Sequence, residues 1–114
     1  MRLPGRITRS RPEYDTSKPV KLTGAVTKID WSNPHVYFYI DVEDDSGNVA
    51  NWAFEMGAPS ALRNTGWTKS SMKIGDVVTV EGTRAKDGGT HGNARAVTLT
   101  TTGQRLGAAS SQGK

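Results

Sequence analysis

The sequence predicts an all-β fold, a small five-stranded OB-like barrel with one short helix between strands 3 and 4. Apolar and polar residues alternate over 36–42 and again over 49–56, which is typical of half-buried strands. A short helical signal follows the second of these segments. A glycine interrupts a long first strand, and small barrels need such a bend to close. This order of elements is that of the OB barrel, and an open five- or six-stranded β-roll or small sandwich is the alternative.

The first strand is predicted over residues 20–29, after a connecting loop over 13–19. Its sequence is VKLTGAVTKI, with Gly24 in the interior. A glycine inside a strand often marks a β-bulge or a sharp bend, so we expect irregular pairing at this residue. The apolar face of the strand consists of Val20, Leu22 and Val26.

The second and third strands carry the clearest hairpin signal. Strand 2 spans 36–42, with Val36, Phe38, Ile40 and Val42 on one side and Tyr37, Tyr39 and Asp41 on the other. Strand 3 spans 49–56, and its larger side chains are predicted to face the core. The turn between them is the segment DDSGN at 44–48, because Asp, Asn and Gly tolerate the positive φ that hairpin turns require.

The rest of the domain is one short helix and two more strands. Ser60 is predicted to cap the start of the helix and Gly66 to end it. Strand 4 is predicted over 77–83 and strand 5 over 94–101, with the glycine-rich loop AKDGGTHGN between them. The residues predicted to be mostly buried are Leu22, Val26, Val36, Phe38, Ile40, Trp52, Phe54, Val78 and Val80.

Composition divides the chain into three parts. Residues 1–12 are predicted to be a disordered basic N-terminal arm, 13–102 the OB-like barrel domain, and 103–114 a disordered tail of small and polar residues. Four arginines lie in the first eleven residues, and from Pro12 onward 11 Lys and Arg balance 11 Asp and Glu. The body is therefore neutral, although the whole chain carries +4. A nucleic-acid partner is not expected, because such binders usually carry a basic stripe.

The inventory of reactive side chains is small. The chain has no cysteine, and its two histidines are His35 and His91. Two histidines without cysteines make a poor transition-metal set, and the acidic run at 41–45 does not have the EF-hand spacing. Glu55 is the best single acid, but no partner for it can be assigned from the sequence. We therefore expect no enzyme activity, no catalytic residues, no metal site and no cofactor.

Exposed aromatic side chains next to a polar loop suggest a contact surface. The predicted ligand-binding residues are Trp31, Asn33, His35, Tyr37 and Tyr39. Aromatic rings on the outer face of an OB sheet can stack on bases or sugars. The structural alternative is that the tyrosines only stabilise the sheet by cross-strand pairing, and that His35 only hydrogen-bonds the turn over 31–33.

The segment from 13 to 101 resembles an uncharacterised bacterial family of small exported OB-like proteins, a domain of unknown function. The resemblance rests on Trp31-Ser32-Asn33-Pro34-His35, Asn51-Trp52, Gly66-Trp67 and Gly75-Asp76, which recur in this order. It implies a periplasmic location and an OB-like barrel, and it implies no established activity. Members of that family usually carry a secretory signal and a histidine-rich segment before the first strand, where this chain has Arg9-Ser10-Arg11-Pro12.

These observations predict a periplasmic binding or accessory module whose ligand is unknown. The first eleven residues, MRLPGRITRSR, lack the apolar region of a secretory signal, so a cytoplasmic location is the alternative. The partner is predicted to be a small molecule or a protein, the chain to be a monomer or weak dimer, and no segment is long and apolar enough for a membrane span. The alternative functions are a single-stranded nucleic-acid-binding OB domain and a metal (copper) binding protein.

Overall fold

A computed structural model of the protein describes residues 13–110 as six β-strands and one short helix. The elements are β1 (Tyr14–Asp30), β2 (Tyr37–Glu43), β3 (Val49–Glu55), α1 (Pro59–Asn64), β4 (Val77–Ala85), β5 (His91–Leu99) and β6 (Gln104–Gly107). The predicted arm at 1–12 and the last part of the predicted tail, 111–114, lie outside the described residues. The prediction of a β-rich fold with one short helix between the third and fourth strands is confirmed.

The strands form one sheet in the order β3-β2-β1-β4-β5-β6, and neighbours in this order run antiparallel. β3 also pairs with β5, in parallel, from Ala53 opposite His91 to Glu55 opposite Asn93. The series of pairings that starts at β3 therefore returns to β3 through β5, and β6 lies outside this ring on the far side of β5.

The predicted count of five strands is wrong by one, because β6 occupies the start of the predicted disordered tail. Leu106 is buried and lies opposite Val97. The backbone continues to Ala108, whose N–H donates to Arg95 and whose carbonyl accepts from Gly57. The small, polar composition of this segment predicted disorder, but backbone pairing depends on a neighbouring strand and not on composition. The prediction for 103–114 is therefore wrong at 104–107.

Strand β1 is longer than predicted because it changes partners along its length. Its first half pairs with β4 and its second half with β2, and Ala25 is paired on both sides. At the change of partner, a Cβ on Gly24 would lie 2.1 Å from the carbonyl oxygen of Asp41. Gly24 is thus required by a close backbone approach. The register shift lies between Val26 and Lys28, so the predicted bulge is displaced from Gly24.

A second irregularity in β1 lies within the segment predicted as a connecting loop. Asp15 pairs with Arg84 and Pro19 with Thr83, so residues 16–18 have no partner on β4. The Asp15 carboxylate accepts hydrogen bonds from the backbone N–H and the hydroxyl of Ser17. These hydrogen bonds lower the pKa of Asp15 and hold the three-residue bulge in shape.

The hairpin between β2 and β3 has the predicted turn. Asp44 Oδ1 accepts hydrogen bonds from the backbone N–H groups of Ser46 and Asn48, at 2.8 and 2.9 Å. Gly47 takes a φ of +87°. This positive φ favours glycine, because glycine has no Cβ.

The helix begins one residue earlier than its predicted cap. Ala58 is the N-cap residue, without a side-chain hydrogen bond, and Pro59 stands at the first helical position, where its missing N–H is not needed. The prediction of Ser60 as N-cap is therefore wrong. Gly66 ends the helix as predicted, with a φ of +104° and its N–H donating to Arg63.

The core fills the space between the strands and the helix. Eight of the nine residues predicted to be buried are buried, and Leu22 is half-buried at the edge of the core. Other large side chains that complete it are Met56, Leu62, Trp67, Met72 and Val97. Trp67 also donates from Nε1 to the carbonyl oxygen of Gly107, at 2.9 Å, which ties the helix region to β6.

Candidate functional site

The most unusual polar residue in the described part of the chain is Glu55, the last residue of β3. Its side chain is 0% exposed. Tyr14 donates a hydrogen bond from its hydroxyl to Oε1 at 2.8 Å, and His35 Nδ1 lies 2.9 Å from Oε2. A buried carboxylate is costly unless it is paired and hydrogen-bonded. Both oxygens of Glu55 meet this requirement.

Strands β2 and β5 flank Glu55, and the segment just before β2 lies beside it. Glu55 lies opposite Tyr37 on β2 and opposite Asn93 on β5. The backbone just before β2 is fixed beside it, because Val36 donates to Gly57 and accepts from Met56. This pairing places His35, one residue earlier, beside the end of β3.

His35 has one nitrogen engaged and one available. Nδ1 is taken by Glu55, and the side chain is 24% exposed. In the part of the chain that the structure describes, Nε2 makes no hydrogen bond. A neutral imidazole that donates from Nδ1 has an acceptor lone pair at Nε2, and protonation turns Nε2 into a donor. The carboxylate thus fixes the orientation of a ring that can contact a ligand through its second nitrogen.

The two predicted tyrosines lie on the same side of the β2–β3 hairpin as His35 and Glu55. Tyr37 is opposite Glu55 and Tyr39 is opposite Ala53, and both tyrosines are half-buried. Side chains two residues apart in a strand share a side of the sheet. The ammonium group of Lys28 lies 5.3 Å from the centre of the Tyr39 ring, a cation–π distance.

The other two predicted residues lie in the loop between β1 and β2. Trp31 is half-buried and packs against the core, with its ring centre 6.4 Å from that of Trp67. Asn33 is exposed and precedes a cis peptide bond to Pro34. The structure therefore brings His35, Tyr37 and Tyr39 together, while Trp31 contributes to the core and Asn33 lies at the surface.

Sequence reasoning missed Tyr14 and the pairing of His35. Tyr14 lies in the segment predicted as a connecting loop, and nothing in its spacing points to a carboxylate 41 residues away. The sequence indicates Glu55 as the best single acid, but it does not indicate its partners, Tyr14 and His35. His35 contacts Glu55 and not the preceding turn, where Ser32 instead donates to Asp30.

The remaining histidine lies elsewhere. His91 is the first residue of β5, and its Nε2 is 3.4 Å from Oδ1 of Asp87 in the preceding loop. The pKa of Asp87 is lowered, first by the hydrogen bond from the backbone of Gly89 and then by His91. Within residues 13–110, no group of three or more His, Cys, Asp or Glu side chains is arranged so that it could hold a metal ion.

The comparisons with known proteins identify a family. A model of the family of unknown function DUF6152 matches residues 5–95, and no curated protein matches the chain. Within the described residues, no helix has the length and apolar character that a membrane crossing requires. Because the family model covers most of the chain, the protein belongs to the DUF6152 family.

Proposed function

We propose that this DUF6152 protein is a non-enzymatic periplasmic binding or accessory module built on an OB-like barrel. Its contact surface is the loop over 31–35 together with the tyrosine side of β2. The observation that carries the proposal is the arrangement of His35, whose ring is held by the buried Glu55 while its Nε2 remains available. We call the set Trp31, Asn33, His35, Tyr37 and Tyr39 the β2 surface.

The strand pairings support the OB-like barrel. Five strands pair in a ring, β1 with β2 and β4, β3 with β2 and β5, and β4 with β5. In an OB barrel the small helix lies between the third and fourth strands, which is the place of α1. Strand β6 is an addition to this plan.

Pre-organisation supports the β2 surface as a place of contact. A side chain that is already held in one orientation loses less freedom when it binds. His35 is held by Glu55, and Tyr39 is flanked by Lys28. A ligand would meet an imidazole nitrogen and aromatic rings on one side of a single hairpin.

The same geometry supports binding over catalysis. Both oxygens of Glu55 are engaged by Tyr14 and His35, so this carboxylate serves to orient the imidazole. Within the described residues, no second carboxylate pairs with His35 and the chain has no cysteine. General acid–base chemistry requires proton donors and acceptors within hydrogen-bond reach of a substrate, and here one imidazole would have to serve alone.

The charges around the β2 surface favour a neutral or cationic partner, either a small molecule or a protein. Exposed acids in or beside the hairpin outnumber Lys28, the cation next to Tyr39, and they are Asp30, Asp41, Glu43, Asp44 and Asp45. Phosphate groups would be repelled here at low salt. A single-stranded nucleic acid is therefore the weaker alternative, and it would depend on the arginines at 2–11. The protein is proposed to be a monomer or a weak dimer.

The test compares variants against a ligand found by screening. A panel of small molecules and a periplasmic extract are applied to the labelled protein, and the affinity of each hit is measured. Replacing Tyr37 and Tyr39 together by alanine should weaken binding at least tenfold, because a stacked aromatic ring contributes about 1–3 kcal/mol. Lys69→Ala is the control, since Lys69 is exposed and remote in sequence.

Deletion of residues 1–11 distinguishes the alternatives. If the β2 surface binds the ligand, the deletion changes the affinity little. If the deletion abolishes binding and the tyrosine variant binds normally, the β2 surface is the wrong site and the nucleic-acid alternative replaces it. In that case the affinity should also fall steeply as salt is raised.

Two further measurements address the metal alternative and the location. Copper bound stoichiometrically after purification, and lost in His35→Ala, would select the copper-binding alternative. Fractionation of cells that express the full-length gene tests the periplasmic location, for which the support is the resemblance to exported proteins. Recovery of the protein in the cytoplasmic fraction alone would contradict it.

A further inference from the structure

A cleft of about 550 Å³ is lined by residues of β1, β4 and β5, and by none of the residues of the β2 surface. The three-residue bulge of β1, held by Asp15, forms one wall, and β4 and β5 form the floor. Its lining residues are Thr16, Pro19, Val20, Lys21, Glu81, Gly82, Thr83 and Arg95. Clefts of this volume are in the range that takes small ligands.

The charges that line the cleft do not cancel. Glu81 is the acidic residue among those that line the cleft. Nη2 of Arg105 lies 2.8 Å from its Oε1. This ion pair and the nearby Lys21 lower the pKa of Glu81. Lys21 and Arg95 make no ion pair within 4 Å in the described part of the chain. With Glu81 neutralised by Arg105, two positive charges converge on the cleft.

A buried hydroxyl lies beside these charges. Thr83 is 3% exposed and lines the cleft, and within residues 13–110 its hydroxyl makes no side-chain hydrogen bond. In the described residues, no side-chain nitrogen or oxygen is both fully shielded from solvent and without a hydrogen-bond partner. The hydroxyl of Thr83 therefore keeps contact with solvent at the floor of the cleft, where it can donate to a ligand.

The backbone is specialised at the same place. A Cβ on Gly82 would lie 2.0 Å from the carbonyl oxygen of Asn93. Arg95 is the extra residue at the register shift between β4 and β5, because Glu81 pairs with Ala96 and Gly82 with Ala94. Arg95 therefore has no direct partner on β4, and it is one of the residues that line the cleft.

We propose that this cleft binds a small organic anion, a carboxylate or phosphate with a short apolar body. The anionic group would contact Lys21, Arg95 and the Thr83 hydroxyl. The apolar body would lie against Pro19 and Val20. The site is separate from the β2 surface, and either proposal can fail without the other.

The experiment titrates the ¹⁵N-labelled protein with four probes and follows the amide signals. Hexanoate presents a carboxylate on an apolar chain, acetate the carboxylate alone, hexanol the chain alone, and inorganic phosphate a second anion. We expect saturable shifts at Val20, Gly82 and Thr83, with a Kd for hexanoate of order 1 mM and weaker binding of acetate and hexanol. Binding should weaken at high salt, since exposed charges are screened.

Variants locate the contact. Arg95→Gln and Lys21→Gln should each weaken hexanoate binding at least about fivefold, the usual effect of losing a charge-assisted hydrogen bond. Lys69→Gln is the matched control and should change nothing. Arg95→Lys should keep most of the affinity, because it keeps the charge. Thr83→Val keeps the shape and removes the hydroxyl, and it should weaken the binding of both anions.

A deletion provides a second line of evidence. Asp15 and Pro19 pair with adjacent residues of β4, so removal of 16–18 would make the ladder continuous and erase the cleft wall. The deletion variant should lose hexanoate binding while its amide spectrum remains dispersed. If it does not fold, Arg95→Gln remains decisive.

Two results would overturn the proposal. One is the absence of saturable shifts with any anion up to about 10 mM, well above the expected Kd. The other is shifts that Arg95→Gln and Lys69→Gln reduce equally, which would mean diffuse attraction to surface cations.

Discussion

The two proposed sites treat polar groups in opposite ways. At the end of β3, the side chain of Glu55 is fully buried and its oxygens are engaged by Tyr14 and His35. On the side of β4 and β5, the cations Lys21 and Arg95 stay at the surface without ion pairs in the described residues. One side holds its polar groups in a closed arrangement, and the other keeps them available around a cleft.

The difference follows from the cost of burial. A buried carboxylate must find partners within the protein, so the contacts of Glu55 stabilise the fold whether or not His35 binds a ligand. Exposed cations have no such requirement. Their significance on the β4 side comes from their position beside a bulge, a cleft and the Thr83 hydroxyl.

The largest effect is expected from the core that both sides share. Phe38 is fully buried and stacks on Phe54, with ring centres 5.7 Å apart. Phe38→Ala should reduce the free energy of unfolding by about 3–5 kcal/mol, as large core truncations do, and should disturb both sides. Urea denaturation measures the loss. A value below about 1 kcal/mol would contradict the packing of Phe38 in a tight core.

Two glycines provide a matched pair, one for each side. A Cβ on Gly24 would collide with Asp41, and one on Gly82 with Asn93. Each Gly→Ala variant should therefore cost about 1–3 kcal/mol or more, through overpacking against backbone. Gly107 is the control, because a Cβ there meets nothing within 4 Å. Thermal unfolding of the three variants measures the losses of stability. Equal losses at all three positions would show that the close backbone approaches at Gly24 and Gly82 do not cause them.

The next effect separates a buried carboxylate from an exposed one. Glu55→Gln keeps the shape but weakens two hydrogen bonds, and it should cost about 1–3 kcal/mol. Glu81→Gln breaks a surface ion pair with Arg105, and we expect no resolvable change in stability. Chemical denaturation of both variants measures the contrast. If Glu81→Gln were the more damaging change, the closed arrangement around Glu55 would not be a stabilising one.

The smallest effect concerns acid titration on the cleft side. Arg105 lowers the pKa of Glu81, so the small stabilisation by this exposed pair is present above the ordinary carboxyl pKa and is lost as the pH falls through the lowered value. Arg105→Gln should move the pKa of Glu81 upward, toward the ordinary value of about 4.3. NMR titration of the side-chain carboxyl measures the shift. An unchanged pKa would mean that Lys21, and not Arg105, stabilises the carboxylate of Glu81.

Local pattern predicted what depends on local chemistry. The alternation at 36–42 and 49–56 gave the inward faces of β2 and β3, because side chains alternate along a strand regardless of its neighbours. The DDSGN segment predicted its turn, and Gly66 the end of α1, because both depend on the φ of one residue. The same alternation placed His35 beside the two tyrosines.

The features that the sequence pattern did not predict depend on contacts between residues far apart in the chain. Tyr14 and Glu55 are 41 residues apart, and no periodicity links them. Strand β6 forms by pairing with β5. The bulge at 16–18 forms because Asp15 and Pro19 pair with adjacent residues of β4. Each of these features contributes to one of the two proposed sites.

The sequence by itself determined that the chain is β-rich, which residues of β2 and β3 face the core, and where the tight turns lie. Those properties follow from the alternation of side chains and from the backbone freedom of single residues. Only the tertiary structure decided that Glu55 is buried between Tyr14 and His35, and that Lys21, Arg95 and Thr83 meet at one cleft. Both depend on strand register, which is set by pairing between segments far apart in the chain.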